Sequence, residues 1–127
     1  MAAKKQRARK PEFVICTYRV KPGAEARLLR LLARHDATLR RLGLVTARAA
    51  QTFRGRDEQG RVTVLDIFEW RSADAVARAH GDPAVQKLWN SVTGLVEERD
   101  GRPAAEFPHY ERVLRPAAQK ARGVRLH

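Results

Sequence analysis

Cysteine is all but missing from this chain, and that scarcity narrows the reading first. Cys16 stands alone, so no internal disulfide forms and no CxxC pair is available for zinc. A reducing compartment, the cytoplasm, is the expected home. No run of about 18 apolar residues occurs, which argues against a membrane-spanning helix, and the first residues lack the apolar core of a secretory signal. A Gly-rich phosphate loop and an ordered Ser-His-Asp set are also missing. The histidines His35, His80, His109 and His127 are separated by 45, 29 and 18 residues, too far apart for a local ligand pair. Only a site assembled in three dimensions from His35, His80 and Asp66 would hold a metal; none is expected, and no cofactor either.

Acidic residues are absent from both ends. Residues 1–11 carry Lys4, Lys5, Arg7, Arg9 and Lys10, and residues 112–127 carry Arg112, Arg115, Lys120, Arg122 and Arg125. These ten cations supply most of the net charge of +12, whereas residues 12–111 hold 16 basic and 14 acidic side chains, an ordinary solvated surface. Segments 1–11 and 115–127 therefore read as basic flexible tails with a weak, salt-sensitive affinity for polyanions. The base-stacking aromatics and reading helix of a specific nucleic-acid binder are missing. The 127 residues suit one domain.

What is present alternates strand and helix patterns. Residues 13–20 (FVICTYRV) are β-branched or aromatic on both faces and stop at Pro22-Gly23. From Ala24 to Leu42 apolar residues recur at helical spacing, and Gly43-Leu44 reads as a left-handed glycine exit followed by its hydrophobic contact. Val45 to Arg54 alternates weakly, the polar loop 55–60 follows, and 61–70 (RVTVLDIFEW) is a strong strand, which predicts a hairpin. Ser72 caps a short helix ending at His80, and Asp82-Pro83 caps another bearing Val85, Leu88, Trp89 and Val92. A last extended piece, Glu106 to Leu114, contains Pro108, which marks an edge or a bulge.

The order is β-α-β-β-α-β, an α+β ferredoxin-like arrangement with an antiparallel four-stranded sheet, its second helix broken in two. Apolar residues decorate both sheet faces, yet the helices suffice for one. A homodimer in which two sheets pack face to face is the expected remedy.

In this frame the VKPG turn at 20–23, RLGL at 41–44, IFEW at 67–70 and FPHYE at 107–111 make residues 12–114 resemble the antibiotic-biosynthesis-monooxygenase-like family of dimeric α+β barrels. The resemblance implies a cleft between sheet and helices and, in the cofactor-free monooxygenase branch, oxidation of a flat aromatic polyketide-like substrate by oxygen. A haem-degrading branch uses an asparagine on the first strand, a tryptophan ending the third and a histidine ligand on the last helix. Trp70 matches the tryptophan, but Cys16 stands where the asparagine would be and Trp89 where the ligand would be, which disfavours haem chemistry. The family also includes members without assigned activity, and a non-catalytic binding or stress-associated dimer is the alternative.

Candidate site residues each carry two readings. His35 lies on the stripe 28, 32, 35, 39, 42 and is either a satisfied core group or a base. His80 ends its helix, where an imidazolium is favoured by the local dipole, and serves either as a cap or as an oxyanion stabiliser. Asp66 shares a face with Val64, Phe68 and Trp70 and must be paired, by a helix arginine or by His35, or gain proton affinity. Trp70 and Trp89 are either core or the walls of a flat pocket for a small aromatic ligand. Tyr18, Phe68 and His109 complete the candidate ligand-contacting set.

Overall fold

A computed structural model describes residues 9–118; the outer parts of both basic tails, 1–8 and 119–127, lie outside the described residues. Strand β1 (Glu12–Arg19) is followed by helix α1 (Glu25–Arg41), the hairpin β2 (Gln51–Arg56) and β3 (Val62–Trp70), helices α2 (Ala73–His80) and α3 (Pro83–Thr93), and the short strands β4 (Ala105–Glu106) and β5 (His109–Tyr110). The sheet order is β2-β3-β1-β4, with β5 also on β1, and every pairing is antiparallel. This is the expected ferredoxin-like arrangement, with the second helix divided at Gly81-Asp82.

Local chemistry sets the element ends. In α1 the four-and-three spacing buries Leu28, Leu32, His35 and Leu39. Its exit is a full Schellman motif: the Leu44 N–H donates to Leu39 O (2.9 Å), the Gly43 N–H to Arg40 O (3.0 Å), and Gly43 holds φ +71°. Ser72 Oγ accepts from the Ala75 N–H at 3.1 Å, and Asp82 Oδ1 accepts from Ala84 and Val85 at 2.9 and 3.1 Å, with Pro83 in the first turn.

The first half of the hairpin departs from the sequence expectation of Val45 to Arg54. Val45 makes only an isolated bridge to Trp70, and the ladder restarts at Gln51 opposite Ile67. Between these points the β2 side carries three more residues than its partner. The cause lies just outside the segment: Arg40, at the end of α1, donates to Thr46 O (3.0 Å) and Arg48 O (2.8 Å), taking carbonyls a ladder would need. The final strand is interrupted without a bulge. Thr17↔Glu106 and Phe13↔Tyr110 lie in one unbroken register; Ile15 donates to Pro108 O at 3.2 Å, but Pro108 has no N–H to return the bond.

All three helices pack on one sheet face. Val14, Cys16 and Tyr18 of β1 and Val64, Asp66, Phe68 and Trp70 of β3 are buried there, none more than 5% exposed. On the other face Phe13, Ile15, Leu65 and Ile67 stay partly exposed and Phe53 is 51% exposed. No helix of the described residues is long and apolar enough to cross a membrane.

Candidate functional site

Strand alternation aims the even-numbered residues of β1 and β3 at the helices, yet the helices do not close fully over them. A cavity of about 470 Å³ remains, within the range that holds small organic ligands. Its floor is Val14, Cys16 and Tyr18 from β1 with Phe68 and Trp70 from β3. His35 enters from α1, Val76 and His80 come from α2, and Trp89, Val92 and Thr93 from α3. Phe107 and His109 form the sheet-edge side. The floor and His35 are buried, whereas His80, Thr93, Phe107 and His109 are exposed and ring the mouth.

One polar contact organises the interior. The Trp89 indole Nε1–H donates to His35 Nε2 at 2.9 Å, joining α3 to α1. His35 therefore accepts through Nε2 and keeps its proton on Nδ1. Burial holds this imidazole down at about 4, with the nearby Asp36 carboxylate opposing the shift, so it is neutral at physiological pH. Around this pair the rings pack edge to face: His80 on Trp89 (4.9 Å between centroids), His35 on Phe68 (5.8 Å) and Phe68 on Trp70 (5.2 Å). Burial also pushes the Cys16 thiol up to about 12 and raises the Tyr18 hydroxyl further.

Trp70 contributes a polar atom with no partner. Its indole Nε1 is buried and donates to nothing among the described residues. An unsatisfied buried donor costs about 1–3 kcal/mol, which makes it a natural counterpart for an oxygen brought by another molecule. Trp70 itself lines the cavity.

Of the residues singled out by sequence, Tyr18, His35, Phe68, Trp70, His80, Trp89 and His109 all line this one space. Asp66 does not. It is buried on the helix-facing side, but toward β2, where Thr52 Oγ1 donates to its Oδ1 at 2.8 Å. Its partner is thus a strand threonine rather than a helix arginine or His35. Burial, the largest effect, raises its proton affinity, and the Thr52 hydrogen bond opposes this. His109 Nδ1 stands 2.9 Å from Glu12 Oε2, an ion pair when the imidazole is protonated. Among the described residues no group of three or more His, Cys, Asp or Glu stands close enough to hold a metal ion.

Sequence reasoning missed Phe107, Val76 and the lining role of Cys16. Phe107 was within reach: the register of the last strand sets it opposite Cys16 and hence on the helix-facing side.

Neither a protein-family model nor a curated protein sequence matches the chain. Solved structures do. A variant of SnoaB, a cofactor-independent oxygenase from Streptomyces nogalater, aligns with a TM-score of 0.66 at 16% identity, covering 86% of this chain and 99% of that one. A structure described as an antibiotic biosynthesis monooxygenase aligns with a TM-score of 0.61 at 17% identity over 81% of this chain and 99% of the other. The chain has the antibiotic-biosynthesis-monooxygenase fold. Rv0793 from Mycobacterium tuberculosis shares this fold with it as well, with a TM-score of 0.61 and 18% identity over 85% of this chain and all of that one.

Proposed function

We propose that this chain binds a flat aromatic molecule in the cavity and oxidises it with molecular oxygen, without a resident cofactor, as a cytoplasmic homodimer. The observation that carries the reading is the cavity of about 470 Å³ walled by both tryptophans, one of which, Trp70, carries a buried indole N–H with no partner among the described residues. Trp70 and Trp89 hold the ring, and the Trp70 N–H meets a ligand oxygen. Phe68 and Tyr18 pack against its faces and edges, and His109 lies at the rim. The proton of a phenolic hydroxyl falls to His80: Asp66 stands outside the lining, and the Nε2 lone pair of His35 is engaged by Trp89. His35 is thereby a positioning residue for Trp89.

In an anthrol-like substrate the ionised ring reacts with O2 at the carbon opposite its oxygen, one oxygen atom becomes a new carbonyl there, and the hydroxyl and ring hydrogens leave with the other atom as water. SnoaB, described as a cofactor-independent oxygenase, supports this choice over other reactions. Oxygen uptake by metal-free and flavin-free protein on a panel of anthrols and quinols tests it. Turnover that falls at least tenfold in His80→Ala supports the reading, and an inert panel overturns it.

One observation favours a second reading, binding without turnover: the buried half of the cavity holds no free base. Saturable ligand binding with no oxygen uptake would select it.

The homodimer rests on the open sheet face. Phe13, Ile15, Leu65 and Ile67 are incompletely covered, and Phe53 is 51% exposed. Face-to-face sheet packing at a spacing of about 10 Å would cover such a surface. The only thiol, Cys16, is buried and unpaired, which suits a reducing compartment.

A further inference from the structure

The cavity differs sharply between its two ends. None of its lining residues is Asp, Glu, Lys or Arg. Its buried half contains three titratable side chains, Cys16, Tyr18 and His35, exposed by only 3%, 4% and 5%. All three are neutral at physiological pH: the thiol and the phenol would keep their protons even in water and burial reinforces this, while burial also stops the imidazole from taking up a second proton. An ionic group pushed against this floor would lose its hydration and find no countercharge. The mouth is different. His80, Thr93 and His109 are exposed there, and Glu12 pairs with His109 just outside the lining, so a charged group at that end stays in water.

We infer that the cavity sorts its ligands by where they carry charge: it takes an elongated aromatic ring inner end first, requires that end to be uncharged, and tolerates an ionised substituent only at the mouth beside His80 and His109. The inference rests on the ligand-site reading above and narrows the substrate class to neutral ring systems or to ring systems whose single acid group lies at one end. It also sets the direction of entry, with the uncharged end inward and any acid group outward.

Four probes of one ring system test this: anthraquinone, its monocarboxylate with the acid at one end of the long axis, a disulfonate with an anion at each end, and the matching neutral disulfonamide. The two tryptophans of the chain both line the cavity, so quenching of intrinsic fluorescence reports occupancy directly. The expected result is that anthraquinone and the disulfonamide bind, and that the monocarboxylate binds within about tenfold of them and displaces anthraquinone. The disulfonate should bind roughly a hundredfold or more weaker. A disulfonate that binds as well as anthraquinone overturns the inference while leaving the ligand site standing. A monocarboxylate as weak as the disulfonate also overturns it, because charge would then be refused at the mouth. A disulfonamide as weak as the disulfonate overturns it too, because length and not charge would be the barrier. If none of the four binds, the ligand-site reading fails along with it.

Discussion

Trp89 on α3 donates its indole proton to the Nε2 of His35 on α1 across 2.9 Å, and the acceptor is an imidazole that burial keeps neutral. Protonating His35 removes that acceptor and places a cation among apolar rings. The His35 imidazole titrates near the ordinary value of 6.5 in the unfolded chain and at about 4 in the folded one. The stabilisation from neutral His35 is thus complete above 6.5 and lost as pH falls from there through about 4. The loss is roughly 3 kcal/mol at most. Asp66, whose proton affinity is raised by burial, works in the opposite sense at the acid end of this window, because the folded state takes up its proton first. Urea unfolding across this range should show falling stability, and His35→Gln, which can still accept from Trp89, should flatten the slope. An unchanged slope in that variant would rule out His35 as the source.

The two tryptophans should respond differently to replacement by phenylalanine. In Trp70→Phe the lost ring volume is offset by removal of an orphaned buried donor, so stability should stay within about 1 kcal/mol of the parent. In Trp89→Phe ring volume is lost and His35 Nε2 is left without its donor, so the cost should reach about 2–3 kcal/mol. Chemical denaturation of both variants checks the contrast, and equal losses would contradict it.

Ile67→Lys places a charge at the centre of the open sheet face without touching the cavity. Light scattering coupled to gel filtration should report a dimer for the parent and a monomer for the variant. A parent chain that remains monomeric at micromolar concentration would remove the homodimer.

Gly43 ends α1 at φ +71°, and no atom lies within 4 Å of where a Cβ would stand. Gly43→Ala should therefore cost only the backbone strain of a left-handed alanine, about 1 kcal/mol, with no steric penalty. A loss of several kcal/mol in thermal unfolding would contradict an uncrowded helix exit.

Much of the fold was legible because its determinants are local. The spacing of Leu28, Leu32 and Leu39, the caps at Ser72 and Asp82, and the exit at Gly43-Leu44 each act within a few residues and do what their chemistry dictates. The early start assigned to the first hairpin strand failed because Arg40, from the end of α1, captures the carbonyls of Thr46 and Arg48. No pattern within residues 45–54 encodes that capture. The site shows the same division. Alternation correctly set Phe68, Trp70 and Asp66 on one face, but only the strand order and the lateral position of the helices decide that the two aromatics line the cavity while Asp66 lies beside Thr52. The His35–Trp89 bond depends on how α1 and α3 are rotated against each other, which neither helix specifies alone.

The central claim is that the space beside Trp70 is a ligand site, and the two indole signals of a proton–nitrogen correlation spectrum test it most directly. On titration with anthraquinone, the Trp70 indole, which has no partner among the described residues, should shift strongly as it gains an acceptor, while the Trp89 indole, already bonded to His35, should move less. A Trp70 signal that stays fixed while anthraquinone binds elsewhere, or shows no binding at all, would contradict the claim.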